Sequence, residues 1–212
     1  MSPQSVSGQG MRGLPASWIM RSWFLVVVAA LLVVVVATAL VVYAGIYNVA
    51  ADLPHSQPVY WLMTTVRERS IAAHATGIVV PGDLADSKRV ASGAAQYAEM
   101  CSSCHLAPDM KRTEISRGLY PRAPELRRGS RLTAAEEFWV VKHGLKMSGM
   151  PAWGVTHDDE LLWSVVAFLQ KLPELTPGQY QTLIKSAPKT RDEMMQQMEM
   201  GNGDGHSDQP HQ

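Results

Sequence analysis

The chain has 212 residues, with 19 basic and 19 acidic side chains and therefore no formal net charge. That length suits one ordinary domain with appendages and not two full domains. The balanced charge supplies no global attraction to nucleic acid, so any electrostatic steering has to come from local asymmetry.

Residues 1–22 form a polar lead containing Arg12 and Arg21 and no acidic residue. Residues 23–47, "WFLVVVAALLVVVVATALVVYAGIY", follow, and no charged side chain occurs between Arg21 and Asp52. As a helix this run extends about 37 Å at 1.5 Å per residue, enough to cross the lipid hydrocarbon with some tilt. Trp18 and Trp23 stand at one end and Tyr43 and Tyr47 at the other, where membrane-interface aromatics are enriched. The positive lead predicts a cytoplasmic N-terminus and a single pass, with everything beyond about residue 50 outside the cytoplasmic (inner) membrane, on the periplasmic or outer face. "VAA" at 49–51 offers small residues for a signal peptidase. The apolar run is far longer than the roughly 7–15 residues of a signal h-region, however, and the expectation is an uncleaved anchor.

Residues 48–83 read as a juxtamembrane segment and linker. After the turn "DLPHSQP", Val59, Leu62, Met63, Val66 and Ile71 suit the apolar side of a short amphipathic helix, and "GIVVPGDL" ends it. Residues 84–175 show helical spacing and no convincing strand alternation. Asp86 or Ser87 caps a helix running to about Met100, Thr133 and Glu136 form a capping box, and "HDDELLWSVVAFLQKL" has acids in its first turn and a lysine in its last. The expected fold is all-α, about three main helices with long loops, and so small a core gains from a large apolar cofactor. Residues 176–212 are assigned to a polar, largely disordered tail.

Both cysteines lie in "CSSCH", residues 101–105. Such a cluster serves as a redox dithiol, as half of a zinc site, or as the covalent seat of a haem. Zinc calls for four ligands, and there is no second cysteine pair; His206 and His211 in the tail are the only histidines at H-x3–5-H spacing. A thioredoxin-like dithiol belongs to a βαβ context, which the pattern lacks. Haem is the leading reading: two thiols bond the vinyl groups on one porphyrin edge while the next residue brings an imidazole beneath the iron. Downstream, "KHGLKMSGMPAWG" at 142–154 offers Met150, followed by a proline that stiffens the loop presenting its sulfur.

With these motifs the chain resembles the class I c-type cytochromes over roughly residues 84–172. Gly93 and Tyr97 stand before Cys101, Cys104 and His105 as in that family's first helix, and Phe168 and Leu169 match the aromatic and leucine of its last. The resemblance implies one haem c bound through two thioethers, with His105 and Met150 as iron ligands. It also implies that the proline carbonyl of "PEL", Pro124, accepts the His105 ring proton; Pro121 competes for that role. Met147 competes with Met150 as sulfur donor, and His143 falls inside an expected helix. Trp139, Trp153 and Trp163 are expected in the core, with Trp153 the one nearest the cofactor.

The function this implies is one-electron transfer by a membrane-anchored carrier with a six-coordinate haem and no enzyme chemistry of its own, working with membrane-associated redox proteins. The alternatives are a haem-bearing subunit of a larger oxidase or dehydrogenase, and a ligand-binding or peroxidase-like haem protein with a labile methionine. Seven basic side chains between 111 and 131 (Lys111, Arg112, Arg117, Arg122, Arg127, Arg128, Arg131) face only Glu114 and Glu125. They suit haem propionates or an acidic partner. The tail's Met194, Met195, Met198 and Met200 with His206 and His211 resemble a copper(I) tether, but the reading preferred for this segment is a disordered tail with chance methionine enrichment.

Overall fold

The computed structural model describes residues 16–187. The fold is all-α, with no strand among the described residues, and divides into two compact units, one ending at Ala50 and one beginning at Ala51.

In the first unit, α1 (Ala16–Tyr43) is exposed from Met20 to Tyr43, and that stretch is long and apolar enough to cross a membrane. It stops four residues short of the end of the apolar run. Gly45 takes a positive φ of 61°, and the amides of Ala44 and Ile46 bond back to Leu40 and Val41, a glycine-centred helix end. Arg12 lies outside the described residues.

In the second unit, α2 (Gln57–Ala75) packs against α6 (Ala134–His143), which it meets through buried Ile71 and Ala75 and through the His74 ring, 5.6 Å from Trp139. Leu62 and Val66, which spacing put on the inner side, are exposed. The buried residues of this helix lie in its C-terminal half.

The core is built by α3 (Ser87–Gln96), α6 and α7 (Asp159–Lys171). Asp86 is the cap of α3, accepting from the Lys88 and Arg89 amides at 2.9 and 3.1 Å. Thr133 and Glu136 close the expected capping box, and Asp158 caps α7. Where α3 crosses α7 the two backbones touch. A Cβ on Gly93 would lie 1.8 Å from the Ser164 carbonyl oxygen and 2.9 Å from Phe168 Cβ. Tyr97 and Phe168, both fully buried, then meet with ring centroids 5.1 Å apart. On the other side of α7, Trp163 stacks on Phe138 of α6 at 4.1 Å. Glu137 is buried beside them and accepts from Gln170 Nε2 at 2.6 Å; burial pushes its carboxyl above the ordinary range against the pull of its bonds to Ser130 and Gln170.

Residues 177–186, placed in the polar tail on composition, form α8 (Pro177–Ser186). Thr176 and Gln179 make a second capping box, and buried Tyr180 sits 6.0 Å from Phe168, so the helical domain extends past residue 175. The methionine and histidine cluster of the tail lies outside the described residues.

Because Gly93 meets backbone and not a side-chain tip, α3 and α7 have to separate to admit even a methyl group. Gly93→Ala is expected to destabilise the holoprotein by about 3 kcal/mol, read as a lower urea midpoint with an unchanged slope.

Candidate haem-binding site

The site begins where α3 ends. Tyr97–Cys101 is a π-helical turn, which takes in an extra residue and redirects the chain into α4 (Ser102–His105). Ser102 Oγ bonds the Ala98 carbonyl at 2.6 Å across this junction. The turn leaves Cys101 buried and Cys104 and His105 half-buried, all within one short helical segment. At Leu106 the backbone takes φ 63° and ψ 158°, a strained conformation for a residue with a side chain. Two contacts hold it there: the Leu106 side chain is 2% exposed, and its carbonyl accepts from the buried Tyr97 hydroxyl. The family resemblance marked Tyr97 as the aromatic of the first helix; it gave no sign of this hydroxyl bond or of Leu106, since both depend on how the chain turns after the motif.

His105 Nδ1 lies 2.9 Å from the Pro124 carbonyl oxygen. That carbonyl can only accept, so Nδ1 carries the proton and Nε2 keeps its lone pair for a metal. The acceptor is Pro124 and not Pro121. Burial also pushes the imidazole below its usual range, favouring the neutral form that ligation requires. The chain between is tied to the motif: Thr113 Oγ1 donates to the Ser103 carbonyl and caps α5 (Glu114–Gly118) through the Ser116 amide.

Met150 lies in a loop closed on itself. The Leu145 amide bonds the Met150 carbonyl at 3.2 Å, and Ser148 Oγ links the Leu145 carbonyl to the Met150 amide. Gly144, with φ 63°, lets the loop turn back so closely that a Cβ there would lie 2.7 Å from the Met150 carbonyl oxygen. Met150 and Trp153 pack against the buried cluster of Phe138, Val141, Leu162, Trp163 and Val166. The competing donors face elsewhere: Met147 is 79% exposed, and exposed His143 lies 5.2 Å from the Trp139 ring at the end of α6. Of the three tryptophans, Trp163 is buried while Trp139 and Trp153 are half-buried.

These features suit a covalently attached porphyrin better than the other chemistries of a paired thiol. Both cysteines are free, and burial pushes the Cys101 thiol up to about 12. A redox dithiol needs a depressed thiol pKa. Among the described residues no three His, Cys, Asp or Glu side chains gather as a zinc site would require. Among the described residues, one buried side-chain donor is left without a partner, Arg127 Nε, three residues beyond Pro124. Its neighbouring nitrogen reaches Glu125 at 3.2 Å. A carboxylate brought by the cofactor would satisfy it, as the propionates of a haem do.

The all-helical fold, the Gly93 crossing and the CSSCH turn define a c-type cytochrome domain of class I. Comparison with known families agrees: residues 88–169 match the family described as cytochrome C oxidase, cbb3-type, subunit III. No curated protein and no solved structure matches the chain. A c-type cytochrome domain carries covalently bound haem c and transfers electrons.

The Tyr97 hydroxyl is the buried donor for a strained carbonyl. Tyr97→Phe, which keeps the ring, is expected to lower holoprotein stability by about 1–3 kcal/mol while the haem remains attached, as measured by urea unfolding followed at the Soret band.

Proposed function

We propose that the chain is a membrane-anchored one-electron carrier with a single haem c, attached through Cys101 and Cys104 and ligated by His105 and Met150. The observation that carries this reading is the His105 to Pro124 bond, which fixes the tautomer with Nε2 available, in a chain whose half-buried Met150 is held in a closed loop. The bound haem supplies an iron that cycles between ferrous and ferric states. The protein's part is to hold both proposed ligands still, to keep water from the iron with the Phe138–Trp163 cluster, and to leave room for an electron partner at the surface.

Two cysteines allow one haem of this type. Helix Met20–Tyr43 fits a single-pass anchor, and the flanking arginines and Asp52 favour a cytoplasmic-membrane location with the haem domain on the periplasmic or outer face. Partner docking is assigned to the basic segment. Lys111, Arg117, Arg122 and Arg131 are exposed, whereas Arg127 and Arg128 are paired with Glu125. The family description favours a second reading, a haem-bearing subunit of an oxidase. Isolation in mild detergent separates the two, since a subunit comes out with its complex and a carrier comes out alone.

The proposed ligation is tested on the full-length holoprotein in both oxidation states. The unmutated protein should show the near-infrared iron–sulfur band when oxidised and resist carbon monoxide when reduced. Met150→Ala should lose the band and bind carbon monoxide, whereas Met147→Ala should behave as the unmutated protein does. A Met150→Ala protein that keeps the band contradicts the assignment. Neutralising Lys111, Arg117, Arg122 and Arg131 together should slow electron exchange with an acidic partner about tenfold at low salt and hardly at high salt. Stopped-flow kinetics across ionic strength check this.

A further inference from the structure

The loop that accepts the His105 ring proton and the loop proposed to carry Met150 meet at one side chain. Leu119 follows α5 and begins the loop that runs to Pro124, the acceptor for His105. Its Cδ2 lies over Gly149, the residue before Met150, and a Cβ on Gly149 would sit 2.4 Å from it, with Leu119 Cγ and Cδ1 at 3.6 and 3.7 Å. A methyl group there would require the tip of the Leu119 side chain to move off Gly149. Gly149 has no left-handed φ, unlike Gly144, so the need for glycine at 149 is one of space.

Leu119 is also held from behind. The next residue, Tyr120, accepts the His55 amide proton on its hydroxyl at 2.8 Å, and the two rings meet edge to face at 5.0 Å. Pro121 and Pro124 stiffen the same loop. On the other side the Met150 loop has the internal bonds of Ser148 and Leu145 but turns its Gly149 outward, exposed. Leu119 is therefore the wedge placed by the Pro124 loop against the outer side of the Met150 loop.

We propose that Leu119 is a positioning residue that keeps the Met150 loop closed by packing on Gly149, so that the loop holding His105 also sets how firmly the methionine sulfur is presented. The inference rests on Met150 being the ligand. Its physical content is steric coupling: neighbouring residues that share one space respond non-additively to substitution. Removing the wedge loosens the loop, and a methyl on Gly149 pushes wedge and loop apart. Making both changes leaves a smaller side chain at 119 facing a larger one at 149, and closure returns in part.

The test uses full-length holoprotein carrying Leu119→Ala, Gly149→Ala, both together, or the conservative Leu119→Met. The readouts are the near-infrared iron–sulfur band, carbon monoxide binding to the reduced protein, and thermal unfolding. Each alanine variant should weaken the band and raise the carbon monoxide binding rate about tenfold. The double variant should lie closer to the unmutated protein than either single one, and Leu119→Met should retain the band. A lowered melting temperature with an unchanged band and unchanged carbon monoxide rate would make Leu119 merely structural and overturn the proposal, as would additive effects in the double variant. A band absent from the unmutated protein would overturn the Met150 ligand reading and this inference with it; a band present there and indifferent to all four variants would overturn this inference alone.

Discussion

The contact of the Gly93 backbone with the Ser164 carbonyl is the constraint on which the haem domain is built. With no side chain between them, α3 and α7 approach closely enough for Tyr97 to reach Phe168 and for its hydroxyl to reach the Leu106 carbonyl. That bond holds the strained turn immediately after the CSSCH motif. Helix packing thus dictates where the chain goes once it leaves the π turn, and with it the placement of both thiols and the imidazole.

A second constraint comes from hydrogen bonding around the imidazole. A carbonyl acceptor on Nδ1 fixes one tautomer, and burial disfavours the charged ring. Both effects leave a neutral Nε2, the form suited to a metal. The same desolvation acts on Cys101, where disfavouring the charged form keeps the thiol protonated.

Much of this was legible in the residues because it is local. The Thr133–Glu136 capping box, the CxxCH spacing and the run from Trp23 to Tyr43 each need only a few neighbouring positions. Pro124 was legible only through the family pattern, and its rival Pro121 was separated from it by the fold. What spacing did not reveal depends on distant parts of the chain. Tyr180 makes a helix of an apparently polar tail by packing on Phe168, a residue twelve positions earlier. Leu62 and Val66 stay exposed on α2 because α6 receives the other end of that helix. The contact of Leu119 with Gly149 joins loops thirty residues apart, and the unpartnered Arg127 Nε depends on burial that no local pattern encodes.

The account stands on a porphyrin joined to the chain at two sulfurs. Its most direct test is the intact mass of the matured full-length protein, with peptide mapping across residues 98–111. The expected result is one haem per chain, found on the single peptide that contains both Cys101 and Cys104, with neither thiol open to alkylation after denaturation. A chain of unmodified mass with two alkylatable thiols, produced where c-type cytochromes mature normally, would contradict it.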